Sequence, residues 1–105
     1  MTGSISGGAA GGDLAGGRPE SRETRLKRLR IRSWRRGIRE MDMLLGPFAD
    51  GVGGLAALDE GQLAAYEELL EENDQDLYAW MSGRAEATLP HAPLIAHIRA
   101  WHGIA

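Results

Sequence analysis

Every run of apolar residues at helical spacing in this chain is interrupted by glycine, proline or an Asn-Asp pair within about four turns, which restricts the fold to short helices. No sustained apolar/polar alternation accompanies these runs, so strands are not indicated. Helices this short are marginal alone and must bury one face against each other.

Five segments emerge. The first is predicted from Ser21, an N-cap with Thr24 as a competing choice, to Arg36, with Leu26, Leu29 and Trp34 facing inward. Gly37 stands where a left-handed C-cap belongs, since glycine adopts positive φ without a Cβ penalty. The second, residues 38 to 49, aligns Ile38, Met41, Leu45 and Phe48, and Gly46-Pro47 is expected to kink its end. The GVGG stretch at 51 to 54 reads as a flexible loop. Asp59 caps a third helix to Glu72 that buries Leu63, Tyr66, Leu69 and Leu70. Asn73 or Asp74 caps a fourth that buries Leu77, Trp80 and Met81 and stops at Ser82-Gly83. A fifth runs from Pro93 to Trp101 with Leu94, Ile98 and Trp101 on one side. The expected fold is all-α, a compact five-helix bundle over residues 21–105. Residues 1–20, mostly Gly, Ala and Ser, read as a disordered, flexible tail.

The chain has 105 residues and no cysteine, which excludes disulfides, thiolate catalysis and cysteine zinc sites. No apolar run approaches the ~20 residues of a membrane span, so no membrane insertion is expected. The start lacks the marks of a transit or secretory peptide, and a bacterial cytoplasmic protein is the simplest expectation.

The net charge of -3 conceals an asymmetry: ten of the twelve basic residues precede residue 40, whereas residues 41 to 80 carry ten acids and no Lys or Arg. A first helix this basic, with Trp34 available to stack on a base, raises a small nucleic-acid-binding regulator as an alternative. Against it, the acidic stretch must pack beside that helix, and no nucleic-acid motif is present. Nucleic acid is therefore not expected as a partner.

Catalytic constellations are sparse. His91, His97 and His102 lack an acid at helical spacing, so no metal site is expected. EELLEENDQD reads as the wet face of a helix running into the next cap, and Ser33 and Ser82 have no motif partner. No catalytic residue is assigned.

The corner between the first two segments is more informative. Arg36 falls in the last turn of one helix and Glu40 in the first turn of the next, each favoured by the local dipole by only ~0.3–1 kcal/mol. Folding by this reasoning asks little of either, and an exposed arginine and carboxylate at a fixed corner suit docking to a protein partner.

At this corner the sequence resembles the bacterial and mitochondrial succinate dehydrogenase assembly factors of the SdhE family. Their hallmark RGxxE appears as Arg36-Gly37-Ile38-Arg39-Glu40 within RRGIREMDMLLGPFAD, and a second match lies in YEELLEENDQDLYAWM, residues 66 to 81. The resemblance covers residues 24 to 102. It implies a five-helix, chaperone-like, non-enzymatic protein that promotes covalent attachment of FAD to the flavoprotein subunit of succinate dehydrogenase, and in bacteria of fumarate reductase. It also implies partner contact by Arg36, Gly37 and Glu40, with Arg35 and Asp42 as neighbours. The client would carry the FAD on one of its own histidines, so this chain would need no cofactor. An antitoxin-like role, proposed for some members, joins the nucleic-acid alternative.

Overall fold

The computed structural model describes residues 20–104, so the expected tail lies outside the described residues save for Glu20. The described residues form five α-helices and no strand: α1 (Arg22–Trp34), α2 (Arg39–Asp50), α3 (Glu60–Leu69), α4 (Asp74–Met81) and α5 (Ala92–Trp101), with a 3-10 turn at Leu55–Ala57. α1 packs chiefly on α2, α4 also lies against α2, and α5 rests on α3 and α4.

The caps follow the side-chain chemistry of the sequence. Ser21 Oγ accepts from the Thr24 amide at 3.2 Å. Asp59 and Gln62 form a reciprocal capping box at 2.8 and 3.0 Å, and Asn73 caps α4 through the Asp76 amide at 2.9 Å. Gly83, at φ 81°, takes the left-handed position after α4.

The core unites Leu29, Met41, Leu45, Phe48, Leu63, Tyr66, Leu69, Leu77 and Ile98, all fully buried. At one end Phe48 meets Tyr66 at 5.9 Å between ring centroids and Trp101 edge-on at 5.6 Å. Ser33 is buried too, its hydroxyl donating to Leu29 O at 2.7 Å and sharing a 2.6 Å hydrogen bond with the Tyr66 hydroxyl.

Three local expectations are corrected. α1 stops at Trp34, two residues early. As expected, α2 carries Pro47 inside it, and it runs to Asp50. Trp34 is not a core residue: it is 42% exposed and lies across the backbone of Gly46, where a β-carbon would overlap its ring. The GVGG stretch is anchored, because Trp101 Nε1 donates to Val52 O at 2.9 Å.

Candidate functional site

The corner is built by the four residues that join α1 to α2, Arg35 to Ile38. Arg35 closes α1 at φ -123°, ψ 50°, and Ile38 opens α2 in extended backbone. Between them Gly37 is not among the glycines of positive φ, so the expected left-handed cap is absent. Its reason is close approach instead: its amide donates to Asp74 Oδ2 at 2.6 Å, and a β-carbon would stand 2.7 Å from that oxygen.

Arg36 also departs from expectation. Its side chain is only 10% exposed and every nitrogen is engaged: Nε donates to Asp74 Oδ1, Nη1 to Leu70 O and Nη2 to Glu72 O, each at 2.7 Å. Leu70 and Glu72 follow the end of α3, whose terminal carbonyls lack intrahelical donors and carry the negative end of the helix dipole. Asp74 opens α4, where a carboxylate is favoured for the converse reason. The guanidinium thus clamps α3, α4 and the α1–α2 connection together. The Arg36 amide donates to Asp42 Oδ1 at 2.7 Å, which fixes the turn from the α2 side.

Of the expected site residues, Arg36, Gly37 and Asp42 are joined in this internal network, whereas the side chains of Arg35 and Glu40 are exposed and make no hydrogen bond among the described residues. Glu40 borders a shallow depression with Arg39, Met43, Leu44 and Tyr78. Met43 is 55% exposed, and the Arg84 guanidinium sits 5.6 Å from the Tyr78 ring centroid. Met43 and Tyr78 escaped sequence reasoning, and Asp74 entered it only as a candidate helix cap. The Arg36–Asp74 contact spans 38 positions, so no periodicity exposes it.

The arginines of α1 explain the charge asymmetry. Arg22 and Arg25 pair with Glu60 at 2.8 Å, Arg25 and Arg28 with Glu67 at 2.7 and 2.9 Å, and Arg32 with Glu71 at 2.7 Å. Arg28 also reaches Glu20, and its hydrogen bond holds that carboxyl below the usual range. Burial works against ionisation of Glu67, but hydrogen bonds from Arg28 and Arg25 prevail and lower it too. The helix is basic because it lies against acidic α3, and the nucleic-acid or antitoxin-like alternative loses its main support.

The histidines are dispersed. His91 is buried, 3.0 Å from Glu72 Oε2 and stacked near Trp80; His102 Nε2 lies 2.7 Å from Leu44 O; His97 is exposed. Among the described residues no group of three His, Asp or Glu is placed to hold a metal ion, and no helix is long and apolar enough to cross a membrane.

Comparison with known proteins places the corner in a family context. The family model described as "Flavinator of succinate dehydrogenase" matches residues 27–102, from within α1 to the end of α5. The FAD assembly factor SdhE of Pseudomonas aeruginosa is 45% identical over 64 residues, 61% of this chain and 73% of that protein. That of Legionella pneumophila strain Paris is 38% identical over 65 residues, 62% of this chain and 80% of its own. Succinate dehydrogenase assembly factor 2, mitochondrial, of Meyerozyma guilliermondii is 42% identical over 69 residues, 66% of this chain. The chain spans only half of that mitochondrial relative, and a fifth of the one from Aspergillus terreus. With the family match running through the α1–α2 corner and every helix it joins, this chain belongs to the succinate dehydrogenase flavinator family, alongside the bacterial FAD assembly factors.

Proposed function

We propose that this chain is a non-enzymatic assembly factor that promotes covalent attachment of FAD to the flavoprotein subunit of succinate dehydrogenase. The observation that carries the reading is the family match over residues 27–102, which takes in the whole corner. The client holds the FAD, and this chain contributes a docking surface and no cofactor of its own. Such a factor acts by binding one client arrangement more tightly than others, since equal affinity for all would shift nothing. The resemblance to bacterial members extends the client class to the fumarate reductase flavoprotein, and the bacterial cytoplasm is the compartment that fits.

We read a division of labour within the motif, supported by which side chains are exposed and which are engaged. Glu40, with Arg39, Met43 and Tyr78 beside it, is the outward group for a client, and Arg35 flanks it. Arg36, Gly37 and Asp42 serve by holding that surface in place. The test is flavin fluorescence of the denatured client from cells lacking the chain, then complemented by wild type or Glu40→Ala. Deletion should abolish or strongly reduce covalent flavin, and Glu40→Ala should restore it poorly although the variant is folded. Undiminished flavinylation in the deletion strain would overturn the proposal.

A further inference from the structure

Asp50-Gly51 is the one step in the sequence at which an aspartate or asparagine precedes glycine. It stands at an electrostatically poor place. Asp50 is the last residue of α2, where a carboxylate meets the negative end of the helix dipole, and no basic residue lies in that last turn to offset it. Glycine is compulsory at the next position, because a β-carbon on Gly51 would overlap the Trp101 ring. What holds Asp50 comes from outside its helix: Oδ2 accepts from Trp34 Nε1 at 2.8 Å. Arg30 approaches Oδ1 only at 4.0 Å, its Nε being directed at Ala49 O. The indole itself is pinned, since its ring lies against Gly46 where no β-carbon would fit. The Asp50 side chain is 54% exposed, so water reaches it freely.

We propose that Asp50-Gly51 is a site of spontaneous succinimide and isoaspartate formation, and that the Trp34 indole guards it. The Gly51 backbone nitrogen attacks Cγ of the Asp50 carboxylic acid. The amide proton and the acid's hydroxyl leave as water, and a five-membered imide closes. Glycine favours closure because no β-carbon crowds the attacking nitrogen. Water then adds to either imide carbonyl: addition at Cγ restores aspartate, whereas addition at the α-carbonyl leaves the chain running through Cγ, one methylene longer. Nothing is oxidised or reduced. While Oδ2 is bound to an indole that cannot follow it, the carboxyl is kept from its own following amide, so reaction waits on local release from Trp34. The added methylene falls just where the chain has no slack, since Gly51 lies against Trp101 and Gly54 against Phe48 O. Isomerisation would therefore loosen the end of the core that Phe48 and Trp101 close.

The experiment incubates the full chain at physiological temperature and neutral pH, folded and in urea, and follows isoaspartate in the Asp50 peptide by methyltransferase labelling and mass spectrometry. Trp34→Phe, which keeps a ring over Gly46 but has no N–H to donate, is incubated beside it, with circular dichroism to check its fold. Isoaspartate should accumulate at Asp50 in the unfolded chain and about tenfold or more slowly in the folded wild type. Folded Trp34→Phe should react about three- to tenfold faster than folded wild type, the population ratio that one partly exposed hydrogen bond sets. Equal rates for folded wild type and Trp34→Phe would overturn the guard, and no isoaspartate at Asp50 in the unfolded chain would overturn the site. Should Trp34→Phe prove unfolded, the wild type alone decides: a folded rate equal to the unfolded one refutes the proposal.

Discussion

Replacing Arg36 by alanine should damage the fold before it damages any interface. The guanidinium makes three 2.7 Å hydrogen bonds at 10% exposure, and its ion partner Asp74 is 16% exposed. Hydrogen bonds to a charged group are worth about 1.5–3 kcal/mol each, but they share one donor and water can reach the vacated edge, so the simple total overstates the effect. Removing one member of a buried ion pair costs about 3–5 kcal/mol, and the lower half of that range suits this partly accessible site. A domain of this size holds roughly 4–13 kcal/mol at 0.05–0.15 kcal/mol per residue, so the loss is a large share of the total. Thermal melts followed by far-UV circular dichroism should show Arg36→Ala falling by about 12–32 °C, since 1 kcal/mol moves a domain of this length by about 4–8 °C. Arg36→Lys should lie between, because one ammonium cannot satisfy three acceptors held in a planar fork. The flavinylation defect of Arg36→Ala should track its unfolded fraction, whereas that of Glu40→Ala should appear with the domain folded. A melt of Arg36→Ala within about 4 °C of wild type would refute the clamp and return this arginine to the partner surface.

Other expectations follow from the same contacts. Gly37→Ala should lower stability by about 1–2 kcal/mol in urea unfolding, because the new methyl meets Asp74 Oδ2 and displaces it from the Arg36 clamp. Tyr66→Phe should cost about 1–2 kcal/mol, since the Ser33 hydroxyl loses the side-chain partner it has in the core. Glu20 and Glu67 are lowered from 4.5, so the stability they contribute is complete above that pH and is lost as pH falls through their folded values. Melts should therefore drop steeply below about pH 4.5, and Arg28→Ala should flatten that drop. Tyr66 is pushed up to about 12 by burial, against the opposing hydrogen bond with Ser33. Its contribution is thus full below pH 10 and disappears as pH rises through about 12, visible as loss of helicity coincident with tyrosinate absorbance.

The helices and their inward faces were legible because they depend on neighbours three and four positions apart. Leu63, Tyr66 and Leu69 on α3 with Leu70 at its cap, and Leu77, Trp80 and Met81 on α4, are buried as their spacing requires, and Ser21, Asp59 and Asn73 cap helices because their short polar side chains reach the nearest free amides. The motif at residues 36 to 40 was legible as a pattern too. What it does physically was not, because local reasoning saw only a dipole worth under about 1 kcal/mol for an arginine whose partners lie 34 to 38 residues away. Likewise Gly37 suited a left-handed cap by type, yet its glycine is required by a carboxylate from another helix. Trp34 had the periodicity of a core residue, and the early end of α1 together with the bare backbone of Gly46 left it at the surface. Local spacing determined which segments are helical and which faces are greasy. Only tertiary packing decided which arginine became internal scaffolding and which charges stayed exposed, since burial and pairing depend on what the chain brings back from a distance.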